Sequence, residues 1–162
     1  MKKLFVLLVT VIVCSSCNAQ LYRLQKAQAF YTVSFPGTAI KDENGNTINL
    51  QPIIDRFIYI ECRFNGKPKV DSAFYNGILF TAAVADKAET AATVGIKSEN
   101  GKQVKFSPKT GNKVWKIYLT QANGNTLLHE AVKKIIIKGR LDKTKFTTTI
   151  YMETQLSTPD RY

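Results

Sequence analysis

The dipeptide Asn-Gly occurs five times in this 162-residue chain, at 44–45, 65–66, 76–77, 100–101 and 123–124. A type I′ turn needs positive φ at both central residues, and Asn-Gly is the pair that most readily supplies it. Between these turns the chain alternates apolar and polar residues with a period of two, the mark of half-buried strands. The clearest case is Arg56-Phe57-Ile58-Tyr59-Ile60-Glu61-Cys62-Arg63-Phe64. There Ile58, Ile60, Cys62 and Phe64 fall on one face, and Tyr59, Glu61 and Arg63 on the other. Short strands punctuated in this way predict an all-β domain. The expected architecture is an antiparallel, two-sheet immunoglobulin-like sandwich with a long C-terminal hairpin, and the alternative is a closed, lipocalin-like β-barrel.

In chain order, 20–28 reads as a linker and 29–156 as a single β domain, followed by a tail at 157–162. The first strand is expected at 29–35, with Tyr31, Val33 and Phe35 on one face, and Pro36-Gly37 ends it. Asn65-Gly66 predicts a tight reversal after the 56–64 strand, and Asn76-Gly77 a second one between strands at 70–75 and 78–85. The 78–85 strand is apolar on both faces, which suggests a covered position. A hairpin is expected around Asn100-Gly101. The segment Val114 to Leu119 alternates with Trp115, Ile117 and Leu119 inward, so Trp115 reads as a core anchor. Residues 135–141 and 146–156 form the final hairpin across Asp142-Lys143-Thr144.

The N-terminus has another character. Lys2 and Lys3 precede an apolar run from Leu4 to Val13, and small residues then lead to Asn18-Ala19-Gln20. This is the layout of a secretory signal peptide over 1–19, its apolar core too short to span a bilayer. Two exits are open: cleavage after Ala19, or lipidation at Cys17, since Ser15-Ser16-Cys17 resembles a lipobox. Either places the domain outside the cytoplasm, in the periplasm, on the outer membrane by a lipid anchor, or outside the cell.

Beyond the signal region the only cysteine is Cys62, so the exported domain has no intramolecular disulfide. Alternation puts Cys62 on the apolar face, a buried small hydrophobe and not a reactive thiol. The charge is lopsided. Residues 21–96 carry 8 basic and 7 acidic side chains, whereas residues 97–162 carry 13 and 5. A basic half of this kind attracts anionic partners.

Catalytic signals are sparse. The single histidine, His129, has Glu130 beside it, but neighbours on a strand point to opposite faces. No nucleophile elbow, zinc-site spacing or phosphate-cradling loop is present, so the chain reads as a non-enzyme needing no cofactor. Asp42, Asn44 and Asn46 have the oxygen spacing of a calcium loop, but Thr47 stands where a glycine is needed and Ile53 where a glutamate is needed. Alternation does place Lys105, Lys116, Lys138, Arg140 and Lys145 outward, with Tyr118 and Tyr151. These five basic residues are the candidate anion-binding face. An exported protein seldom meets nucleic acid, so anionic lipid headgroups, glycans or an acidic protein are the expected partners.

The exit Cys17-Asn18-Ala19-Gln20 and the lysine-rich, Asn-Gly-punctuated β pattern resemble small secreted or lipid-anchored proteins of Gram-negative bacteria, those of Bacteroidota in particular. The likeness implies a place in the cell envelope and carries no functional residue with it. The sequence therefore predicts a non-catalytic envelope binding module using its basic C-terminal half. A barrel holding a small apolar ligand is the alternative, and an uncharacterised hydrolase using Cys62 or His129 the remote one.

Overall fold

A computed structural model describes residues 23–34, 41, 43–44, 52–63, 65–121 and 132–158 of the chain. The signal region with Cys17, and also Phe64, His129 and Glu130, lie outside the described residues, as do Asp42 and Asn46 of the calcium-like spacing.

Among the described residues the protein is all-β. The strands are β1 (Leu24–Ser34), β2 (Ile53–Cys62), β3 (Lys69–Tyr75), β4 (Ile78–Val84), β5 (Ala92–Ile96), β6 (Gln103–Phe106), β7 (Lys113–Gln121), β8 (Ile135–Leu141), β9 (Thr144–Ile150) and β10 (Glu153–Leu156). Among the described residues these strands do not divide into the two sheets of the immunoglobulin-like sandwich expected from the sequence. Eight strands join in one curled sheet, ordered β10-β1-β2-β7-β4-β3-β8-β9, and β5 and β6 form a separate ribbon. The expected C-terminal hairpin forms between β8 and β9, but its second strand breaks at Tyr151 and Met152. Beyond the break β10 pairs with β1 in parallel, so those two residues link the edge strands of the sheet. The sheet curls because every strand twists in one hand, and it wraps its apolar face into a half-barrel.

Turn chemistry explains part of this order. Asn76 and Gly77 take φ of 47° and 89° and close the β3–β4 hairpin as expected. The Asn76 side chain also accepts backbone N–H bonds from Lys133 and Lys134 at 2.9 and 3.1 Å, which pins the start of β8. Asn100-Gly101 turns the β5–β6 ribbon. Asn65-Gly66 does not make the expected hairpin, because β2 pairs with β1 and β7 while β3 pairs with β4 and β8. β1 also starts at Leu24, within the expected linker, since its first residues pair with β2.

Two apolar clusters hold these elements, one on each face of β2. Inside the curl lie Ile58, Ile60, Cys62, Trp115, Ile117, Ile135 and Ile137 with other residues of β1, β3 and β8. Trp115 is thus a core anchor, as expected. On the outer face Phe30, Phe57, Tyr59, Val114 and Leu156 are covered by Ala92 and Phe106 of the ribbon. The strand read as half-buried is therefore covered on both sides. Glu61, expected outward, is buried and accepts the Lys109 N–H at 2.9 Å and an Asn112 side-chain N–H, so it ties down the loop before β7.

Candidate functional site

The register of three strands assembles a polar group at one end of an otherwise apolar interior. Inward residues of β1 and β2 pair as Tyr31 with Arg56 and Val33 with Ile54. β10 adds Glu153 beside Ala29 and Gln155 beside Tyr31. Arg56 Nε lies 3.3 Å from Glu153 Oε1, and their side chains are only 8% and 4% exposed. The guanidinium carbon sits 5.9 Å from the centre of the Tyr31 ring and 5.5 Å from that of Tyr75, which enters from β3. The Tyr31 hydroxyl donates to Gln155 Oε1 at 3.1 Å.

Above this pair the end of the curl opens into a cleft of about 1000 Å³. Val33, Ile54, Val132, Tyr151 and Met152 give it apolar walls, and Lys97 and Glu99 from the β5–β6 turn reach its rim. Tyr151 is 68% and Met152 77% exposed. The cleft is concave and its lining is mixed: the apolar walls face Arg56, Glu153, Thr154, Gln155, Lys97, Ser98 and Glu99, a combination that suits an amphipathic molecule better than a purely apolar one.

Burial dominates the electrostatics. It pushes the Glu153 carboxyl up to about 7, against the downward pull of the Arg56 charge and of the neighbouring Tyr75 hydroxyl. It also raises the Tyr75 hydroxyl well above its usual range, with the nearby Glu153 charge adding to the effect. Desolvation thus outweighs the attraction between the paired charges, the usual balance for a buried ion pair.

The residues singled out from the sequence are distributed differently. All five basic residues lie outward or exposed, but they do not share one surface. Lys105 is on the separate ribbon, paired in register with Thr93. Lys116 is on β7, its ammonium 4.3 Å from the Phe57 ring centre and 4.7 Å from that of Tyr118. Three inter-strand steps, roughly 14 Å, separate β7 from β8. Lys138, Arg140 and Lys145 do come together on β8 and β9, where Lys69, Arg140 and Lys145 stand in one cross-strand row. Arg140 Nη2 is 3.2 Å from Asp71 Oδ1. Cys62 is fully buried, and burial followed by the charge of Glu61 pushes its thiol up to about 11, so at neutral pH it holds its proton.

The Arg56–Glu153 pair went unrecognised in the sequence, although half of its signal was legible. Arg56 has the same parity as Ile58 and Ile60, and a charge at an inward position of an alternating strand is an anomaly to pursue. Glu153 carried no such signal, because the break at 151–152 resets the parity of β10 relative to β9.

No family model, curated protein or solved structure matches this chain.

Proposed function

We propose that this protein is a non-catalytic binding module of the bacterial cell envelope whose end cleft takes a small amphipathic molecule. The observation that carries the reading is a pair of charged side chains, each more than nine-tenths buried, at the floor of a cleft of about 1000 Å³. Replacing a buried ion pair by apolar residues is often neutral or stabilising, so its presence at an opening favours a role in binding over one in stability. The fold reading moves with it, from an immunoglobulin-like sandwich to a half-barrel of the ligand-enclosing type. The domain is exported, freed after Ala19 or tethered through a lipid on Cys17.

Displacement of the fluorescent amphiphile 1-anilinonaphthalene-8-sulfonate tests this. Tyr151→Ser and Met152→Ser together remove exposed apolar wall without touching the core. They should weaken binding about tenfold while leaving the melting temperature in place. Unchanged binding would remove the cleft from consideration.

A second reading rests on the row Lys69, Arg140 and Lys145. Like charges directly opposite on adjacent strands are destabilising, so a basic row across β3, β8 and β9 favours contact with an anionic surface. Sedimentation with anionic lipid vesicles, compared with neutral ones, should show retention that falls with salt and with Lys138→Glu. Equal retention on both vesicle types would dispose of it.

A further inference from the structure

We propose that the ligand of the end cleft is a small monocarboxylate with an apolar body, its carboxylate replacing that of Glu153 against Arg56. This rests on the cleft being the binding site and adds the chemical class of what enters it. Within the protein Glu153 is a carboxylate already seated 3.3 Å from Nε of the Arg56 guanidinium, which itself lies between the Tyr31 and Tyr75 rings. The surroundings are thus shaped for that group, and a planar guanidinium matches a carboxylate better than it matches most other anions. Among the mixed lining, Val33, Ile54, Val132, Tyr151 and Met152 offer apolar contact to an aliphatic or aromatic body of modest size.

Exchange has one chemical condition. Two ionised carboxylates cannot share a single buried guanidinium without strong repulsion, so Glu153 must take up a proton as the ligand arrives. The groups that face it are Arg56 on β2, Tyr31 on β1, Tyr75 on β3, and Lys97 and Glu99 at the rim from the β5–β6 turn. With the Glu153 carboxyl already raised to about 7, the protonated form is accessible near neutrality and the exchange carries little penalty there. Above that pH each bound ligand draws one proton from solution, and affinity falls about tenfold per pH unit.

Titration calorimetry with octanoate and octan-1-ol, between about pH 5.5 and 8.5, tests the exchange. Octanoate stays ionised throughout this range. Octanoate should bind with constant affinity at the acid end, weaken about tenfold per unit above neutrality, and take up about one proton per molecule at pH 8. Octan-1-ol should bind without pH dependence. Glu153→Gln, whose folding is checked by its melting curve, should hold the acid-end octanoate affinity across the range. The proton uptake, read in two buffers of different ionisation enthalpy, tests the unsubstituted chain independently of any variant. Equal, pH-independent binding of octanoate and octan-1-ol, with no proton uptake, would overturn the carboxylate exchange and leave the cleft as the site. Binding of neither would overturn both.

Discussion

The two faces of β2 are buried by different means. On the inner face, isoleucines of β2, β7 and β8 meet because the sheet curls until its own strands cover one another. On the outer face, Phe30 stacks on Phe57 and Tyr59 meets both edge-on, at centroid distances near 6 Å, and a ribbon of two short strands roofs them. Branched aliphatic side chains fill a concave interior closely, whereas flat rings suit a shallow face that a small lid can close. The inner cluster thus depends on the whole sheet, and the outer one on a single hairpin. The inner face also ends in a charged, open mouth, whereas on the outer face Lys26 and Lys116 lie over the rings and Glu61 ties down a loop.

The largest expected effects test that difference directly. Ile117→Ala removes a fully buried inner side chain and should cost about 3–4 kcal/mol. Denaturation should show the loss in a single transition, with amide-exchange protection falling across all strands of the large sheet. Phe106→Ala, at an equally buried outer position, should cost about 3 kcal/mol, with protection lost first at 92–96 and 103–106. Uniform loss in both variants would mean that ribbon and sheet are one cooperative unit.

The charged mouth sharpens the comparison. The folded protein holds the Glu153 proton up to about 7 against an ordinary value of 4.5, so between these values it binds more protons than the unfolded chain. Stability should therefore fall as pH rises from about 4.5 to about 7 and level off above, by roughly 3 kcal/mol at 1.36 kcal/mol per unit. Glu153→Gln mimics the protonated form. It should flatten that slope and melt higher than the unsubstituted chain at pH 8, with little difference at pH 4.5. A slope that survives the substitution would place the titrating group elsewhere.

Smaller effects are expected at the β8–β9 hairpin. A Cβ at Gly139 would meet the Lys69 carbonyl oxygen and lie 2.7 Å from Phe146 Cζ, the ring that covers this glycine across the strand pair. Gly139→Ala should cost about 2 kcal/mol through the resulting backbone shift, read by urea denaturation. Lys145→Glu breaks the like-charged row with Arg140 and Lys69, and should stabilise by a few tenths of a kcal/mol at low salt and by less at high salt.

Much of the strand content was legible because alternation and turn chemistry are local. Val114 to Leu119, Ile135 to Leu141 and the Asn76-Gly77 turn stand where the sequence put them. The sheet order was not legible. Asn65-Gly66 looks like the other Asn-Gly pairs, and only long-range pairing separates β2 from β3. The cover over Tyr59 comes from residues 92–106 and the partners of Glu61 are Lys109 and Asn112, all far along the chain, so their alternation with isoleucines reads as exposure to solvent. The basic face failed for a related reason: parity tells which residues point outward, but strand order decides which outward residues are neighbours. For the mouth, Arg56 stood out of pattern on an inward position, while its partner lay beyond a strand break.

The most direct test of the ligand-binding mouth is amide chemical-shift mapping during titration with octanoate near neutral pH. Binding in the cleft should move the resonances of Tyr31, Arg56, Glu153 and Gln155 together, in a saturable way, and leave the outer face of β8 and β9 unmoved. Shifts confined to Lys138, Arg140 and Lys145, or no saturable shifts at all, would contradict it.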